Sequence, residues 1–308
     1  MKKSTLALTI MALVGSGTAL AASPYVQGGS SNAAGVAVGA SNHSMFGGGN
    51  SGVALNGASS RIDLAGGPIK GSNTAIAARG NGTIMKPADV GMFPLPINIA
   101  QVWKASASNG GAQFAINSVR QITQISLAPQ FGGLVIGQVA NASGTPLAVG
   151  SGVYFGEWAP RAAGTPPNNS TNLNMTSTSR TVWYVGDNAV TKDNMPTAIN
   201  ATYGVIGING VGTAAGGTPD NPNLYKGTLT ASYAAGSGNI TGAISRGSSS
   251  IDFAGTAIGN AGTFGNGSTI EGRFYNGAQA LAGIYTGATG AADDVAFGGS
   301  KVGGTITP

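Results

Sequence analysis

The chain carries a single histidine, His43, in the run Ala40-Ser41-Asn42-His43-Ser44-Met45-Phe46 that leads into Gly47-Gly48-Gly49. One imidazole can donate a lone pair or carry a proton, but a hydrolytic metal site needs further ligands beside it. There is no cysteine, which removes thiolate nucleophiles, iron–sulfur clusters, cysteine zinc sites and disulfides. No Gly-x-Ser-x-Gly elbow is present for a serine nucleophile. Gly47-Gly48-Gly49 and Gly132-Gly133 lack the strand-to-helix setting of a phosphate loop and read as hinges. The paired acids Asp293-Asp294 read as a strand end, where neighbouring side chains point to opposite faces and cannot share one substrate. Taken alone, a lone histidine among glycine, serine and asparagine is a loop residue, and the chain does not read as an enzyme.

The elements that must position these residues belong to an exported protein. Lys2 and Lys3 precede an apolar run from Leu6 to Val14, and Ala19-Leu20-Ala21 gives the small-x-small pattern of a signal-peptidase site. Residues 1–21 therefore read as a signal peptide, with cleavage before Ala22. That apolar run is far shorter than the ~20 residues a membrane span requires, and later apolar stretches are interrupted by Gly, Asn, Ser or Thr. The absence of cysteine also implies no lipobox and so no lipid anchor. Without Lys2 and Lys3 there remain 13 basic and 10 acidic residues, a net charge of +3. These charges are scattered, which argues against a nucleic-acid partner. Only 8% of residues are charged while glycine supplies 53 of 308, a composition of tight turns and close packing.

Short β-type runs recur along the mature chain. Val36-Ala37-Val38 and Val53-Ala54-Leu55 punctuate a Gly/Ser/Asn-rich stretch. Ile97 to Trp103, Phe114 to Leu127, Leu134 to Val139, Val153 to Trp158 and Thr181 to Val185 follow, with a loop over 161–180. From Ala201 onward eight short strands are predicted at even spacing: Thr202–Ile208, Lys226–Tyr233, Asn239–Ser245, Ser250–Ala254, Thr269–Tyr275, Ala280–Thr286, Ala292–Phe297 and Val302–Ile306. Their number and their glycine-rich turns imply a closed antiparallel barrel or a sandwich. Thr228, Thr230 and Ser232 alternate with Leu229, Ala231 and Tyr233, so one face is buried. A membrane barrel is disfavoured because its strands run ~9–11 residues with aromatic girdles.

The last third also carries ordered motifs. Gly272-Arg273-Phe274-Tyr275-Asn276-Gly277, Ala280-Leu281-Ala282-Gly283-Ile284-Tyr285 and Val295-Ala296-Phe297-Gly298-Gly299-Ser300-Lys301 resemble the closing strands of the transferrin-binding-protein-B-like barrel. Asn276 stands in the turn where that family often runs straight from aromatic to glycine. Trp183-Tyr184-Val185-Gly186-Asp187, Met195-Pro196-Thr197 and Ala201-Thr202-Tyr203 resemble the segment leading into the same barrel. Among such proteins, an exported chain without a lipobox cysteine is most similar to the hemophilin family of secreted haem-binding proteins.

The resemblance implies a mostly β fold, with an N-terminal β-rich handle domain over 22–190 and a C-terminal eight-stranded antiparallel β-barrel over 191–308. It implies a hemophore in iron acquisition, secreted to the extracellular space through a Slam-type translocon and delivering haem to a TonB-dependent outer-membrane receptor. Haem iron would then take His43 as its axial ligand, the one imidazole available, with Met45 or Tyr25 as a second ligand and Phe46 against the porphyrin face. Lys70, Arg79, Lys86, Lys104 and Arg120 are the candidate propionate partners in the handle. A rival of the same architecture binds no haem and captures a host protein or glycan. An exposed aromatic patch around Trp103, Tyr154 or Trp158 would support that rival. A structural surface protein without a discrete pocket is a third reading.

Overall fold

The structure is a computed structural model that describes residues 25–92, 94–124, 130–164, 167 and 169–308. The signal-peptide assignment over 1–21 lies outside the described residues. The handle contains β1 (Gln27–Ser30), β2 (Val36–Ala40), β3 (Ser51–Leu55), β4 (Ile62–Asp63), α1 (Lys70–Arg79), β5 (Thr83–Met85), β6 (Ala100–Asn109), β7 (Ala112–Gln121), β8 (Gly133–Ala140), β9 (Val153–Ala159) and β10 (Thr181–Gly186). Strands β5 to β10 form an antiparallel meander, and β1 adds to the outer edge of β10. Both faces of this sheet carry large apolar clusters, because both are covered. Val102, Val119, Leu134, Ile136, Trp158 and Trp183 pack beneath α1 and the small β2–β3–β4 sheet. Trp103, Phe114, Ile116, Val135, Val139 and Phe155 face the other way, toward the barrel.

The helix is absent from the sequence reading, and its composition explains why. Its buried positions are Gly71, Ser72 and Ala75, so it docks through small residues and shows no stripe of large apolar side chains.

The second unit holds β11 (Ala198–Ile208), a two-residue pair β12 (Gly217–Thr218) and β13 (Asn221–Pro222), β14 (Tyr225–Ala234), β15 (Ser237–Arg246), β16 (Ser249–Asp252), β17 (Thr256–Ile258), β18 (Thr263–Gly265), β19 (Ile270–Tyr275), β20 (Ala280–Tyr285) and β21 (Val295–Thr307). Strands β16 and β17 pair with successive halves of β15 and form one strand broken at residues 253–255. Counted so, eight antiparallel strands close in the order β14-β11-β21-β20-β19-β18-β17-β15, with β15 returning to β14.

The expected number of strands is present, but two boundaries differ. The predicted Ala292–Phe297 and Val302–Ile306 belong to the single strand β21, whose pairing to β11 slips by one residue at Thr202/Tyr203. Val302 is the extra residue of that bulge. The short β18 was not anticipated. Asp293 and Asp294 precede β21 in a loop, where each accepts its own bond, from Thr289 and Gly287 respectively.

The barrel interior is aromatic and aliphatic. Tyr203, Phe253, Phe264, Phe274 and Phe297 meet around Leu229, Ile240, Ile244 and Leu281, with Phe253 edge-on to Phe297 at 5.1 Å. Along β14 the residues Leu229, Ala231 and Tyr233 are buried and Lys226, Thr228, Thr230 and Ser232 are exposed. Several strands reach ten residues or more, so length does not separate this barrel from a membrane one, as the sequence reading supposed. The apolar interior and polar exterior make the distinction, since membrane barrels are the reverse.

Candidate functional site

His43 lies in the β2–β3 loop, which is tied to the segment leading into β4. The amides of Asn42 and His43 both donate to the Arg61 carbonyl, at 3.0 and 2.9 Å, and the Asp63 amide donates to the Phe46 carbonyl at 2.6 Å. The Gly48 amide donates to Ser41 Oγ at 3.0 Å. Gly47 is required here, because a Cβ at this position would stand 2.4 Å from the His43 carbonyl oxygen. The imidazole ends the turn by accepting from two backbone amides. Met45 N–H reaches Nδ1 at 3.2 Å and Phe46 N–H reaches it at 3.3 Å. The Nδ1 lone pair is therefore engaged, and the neutral ring carries its proton on Nε2. In this conformation the ring presents no free lone pair for a metal, and ligation requires the 43–46 turn to open.

The three residues predicted around a haem, His43, Met45 and Phe46, share this loop, with Phe46 turned inward and Met45 outward. Phe46 is half-buried with its ring 5.4 Å from the imidazole, packed toward the core beneath the β2–β3–β4 sheet. Met45 is 61% exposed and Tyr25 54% exposed. Of the candidate propionate partners, Lys70 and Lys86 are exposed, Lys104 is half-buried and Arg79 pairs with Asp89. Arg120 differs from all of these in being buried. The aromatic patch is also absent: Trp103, Tyr154 and Trp158 are each buried, inside the handle sheet's two cores.

A buried ion pair of the handle reaches across to the barrel. Glu157 on β9 accepts from Arg180 Nε at 2.7 Å, with both side chains inaccessible to solvent. The same carboxylate accepts from the Gly210 and Val211 amides, each at 2.7 Å, on the loop after β11. Arg180 continues to the Ala291 carbonyl and, at 2.8 Å, to the Asp294 carbonyl. Two bonds accepted by Glu157 and two donated by Arg180 thus cross the junction. Phe155 fills the centre of that junction between Gly137 and Gly298, where a Cβ would stand 2.8 and 2.3 Å from its ring.

Two open pockets flank the junction. One, of about 560 Å³, lies between Ser30 and Ser31 beside β1 and the barrel residues Thr263, Thr269, Glu271 and Thr286. Glu271 is its one acid; burial raises its carboxyl above the usual carboxylate range. It packs against Gly29, where a Cβ would approach Oε1 to 2.4 Å. The other, of about 420 Å³, is lined by Leu147, Ala280, Val139, Asn276 and Lys301.

Further into the handle, Asp187 joins β10 to the β2–β3–β4 sheet. It accepts from the Ser51 amide and hydroxyl, both at 2.8 Å, and from the Gly152 amide at 3.1 Å. Burial raises its carboxyl, and those donors partly offset the rise. Sequence reasoning missed both Asp187 and Glu157, since neither stands near another acid or a histidine in the chain. Among the described residues no group of three or more His, Asp or Glu is placed to hold a metal ion.

No protein-family model matches the chain. Among solved structures, the chain is similar to the haemoglobin receptor HpuA from Kingella denitrificans in its apo form, at 14% identity and a TM-score of 0.38, over 92% of this chain and 89% of that one. The same receptor in complex with human haemoglobin is similar at 13% identity, with the same TM-score and coverage. Intact Ap-TbpB, with N and C lobes, is similar at 13% identity and a TM-score of 0.26, over 72% of this chain and 42% of that longer one.

Proposed function

We propose that this is an exported, non-catalytic capture protein of iron acquisition, in which residues 22–190 form the capturing handle and residues 191–308 the barrel. It would reach the surface through a Slam-type translocon and pass its cargo to a TonB-dependent receptor. The observation that carries the reading is the build of the molecule: a barrel with a closed apolar interior, fixed by hydrogen bonds of Glu157 and Arg180 to a handle that carries the His43 loop, with open pockets at the junction. An enzyme would keep an acid–base group free for a substrate. Here the most buried acid, Glu157, is held by Arg180 within the handle and by two amides of the barrel.

Between free haem and a host macromolecule as cargo, the His43 loop favours the macromolecule. Its imidazole is committed to the Met45 and Phe46 amides, and Met45 points outward. Surface loops held on a rigid sheet are suited to contacting a folded partner. Biolayer interferometry of the mature chain against human haemoglobin and transferrin tests this: saturable binding to one of them supports the reading, and binding to neither, with tight haem binding instead, overturns it. The second reading, a hemophore ligating iron through His43, rests on the sequence resemblance. It predicts a Soret band that is weakened or shifted by His43→Ala and lost on acidification, because a protonated imidazole cannot ligate.

A further inference from the structure

The handle sheet ends in a strand that is only half covered. β6 pairs with β7 along its whole length, but β5 covers its outer side only at Ala100, Gln101 and Val102. In an antiparallel ladder, successive residues direct their N–H and C=O groups alternately to one side and the other. The bonds on the outer side fix the phase. Gly82 N–H donates to the Val102 carbonyl at 3.0 Å. At Lys104 the Asn81 side chain takes the place of a strand, accepting from the Lys104 N–H at 2.8 Å and donating to its carbonyl at 2.9 Å. Ser106 and Ser108 continue that phase, so their N–H and C=O groups also point outward. None of these four groups has a partner among the described residues.

This edge is exposed and rigid. Ser106 and Ser108 face solvent, and Ala107 between them is half-buried against the core shared with the barrel. Edge strands are ordinarily blunted by a proline, a bulge or a charged side chain. Residues 105–108 carry none of these, and their register with β7 is unbroken. Both ends are held: Asn81 fixes Lys104, and Asn109 Nδ2 donates to the Val205 carbonyl at 2.9 Å and to the Gly227 carbonyl, which anchors the hairpin tip on β11 and β14.

The surroundings select a charge. Lys104 stands at one end of the edge, and the exposed Lys226 stands at the other, next to Gly227. Lys301 is close by, since Val302 Cγ1 lies 3.7 Å from where a Cβ on Gly111 would stand. The bordering segments 104–113, 202–205, 226–230 and 300–305 contain no acid.

We propose that the Lys104–Asn109 edge of β6 is a docking site for an extended acidic segment of a partner protein, which adds to the handle sheet as a further strand. Main-chain bonds to Ser106 and Ser108 supply the pairing, and carboxylates at the ends of the segment meet Lys104 and Lys226. A second copy of this chain is the poorer occupant, because edge-to-edge pairing would set the lysines of one copy against those of the other. The edge is separate from the His43 loop, and its test does not depend on the identity of the cargo.

The test is an amide NMR titration of the isotope-labelled mature protein with a blocked peptide of alternating threonine and valine carrying glutamate at both ends. The same peptide with lysine at both ends runs beside it. Without peptide, the Ser106 and Ser108 amides should exchange rapidly with solvent while those of Ala105 and Ala107 are protected. The acidic peptide at millimolar concentration should give saturable shifts centred on Ser106 and Ser108 and slow their exchange, with at least tenfold weaker binding of the lysine peptide. Ser106→Pro deletes an outward N–H and leaves the pairing with β7 intact, so it should fold and lose the peptide response. The double variant Lys104→Glu, Lys226→Glu should reverse the preference between the peptides. The proposal is overturned by protected Ser106 and Ser108 amides in the free protein, by no response of wild type to the acidic peptide, by an unchanged response in Ser106→Pro, or by equal affinity for the two peptides. If Ser106→Pro fails to fold, an unchanged preference in the double variant overturns it. Protection of the two amides that grows with protein concentration in the absence of peptide would place a second copy on the edge and overturn the acidic partner.

Discussion

The barrel and the handle bury comparable sheets in opposite styles. Inside the barrel buried polar groups are few: Tyr203 satisfies its hydroxyl by donating to the Ala278 carbonyl at 2.7 Å, and Thr256 is the buried hydroxyl without a partner among the described residues. Inside the handle, Asn117, Ser118, Arg120 and Gln138 are all buried on the central strands β7 and β8, and each carries polar atoms without partners among the described residues. A sheet selected only for stability would place apolar residues there, because an unsatisfied buried amide costs about 1–3 kcal/mol. The buried polarity thus lies mainly in the handle, the unit in which the proposed capture function places recognition.

Substitutions can break or sharpen that contrast. The largest effect is expected where the two regions meet. Glu157→Ala strands the buried Arg180 guanidinium and two loop amides, and should destabilise the whole protein by about 3–5 kcal/mol, measured by chemical denaturation. Within the handle the sign should reverse. Asn117→Leu removes an amide with neither atom paired, and should stabilise by about 1–3 kcal/mol in the same assay; a loss of stability there would show that Asn117 is structural.

In the barrel, Tyr203→Phe deletes one satisfied hydroxyl but leaves the Ala278 carbonyl buried, and should cost about 1 kcal/mol. The smallest effect concerns pH. Burial raises the Glu271 carboxyl, so the folded state holds its proton to higher pH than the unfolded chain does. Its contribution is fully present below the ordinary glutamate value and is lost as pH rises through the elevated one. Glu271→Gln should therefore flatten the decline in melting temperature across that interval.

The same contrast governs what the sequence reveals. Barrel strands alternate cleanly, as at Leu229, Ala231 and Tyr233, and their inward aromatics recur in order, so pattern and motif both point to the fold. The errors there came from glycine: Gly298-Gly299, followed by Ser300-Lys301, made β21 read as two strands. Handle strands are covered on both faces and do not alternate in burial, as β8 shows over its whole length. The strands were still visible as β-branched runs, but α1, with only small buried residues, was not. Site residues were least legible. His43 stood out by rarity, and folding gave it a turn-closing role in this conformation. Arg120 looked like four other handle cations until burial separated it from them, and Glu157 and Arg180 are joined across 23 positions.

The most direct test of the handle as a macromolecular capture surface is an absorbance titration of the mature protein with haem, run on wild type and His43→Ala in parallel. The account predicts superimposable spectra for the two proteins, with no Soret band that depends on His43. A Soret band formed by wild type and lost in His43→Ala would contradict it and establish the β2–β3 loop as an iron-ligating site.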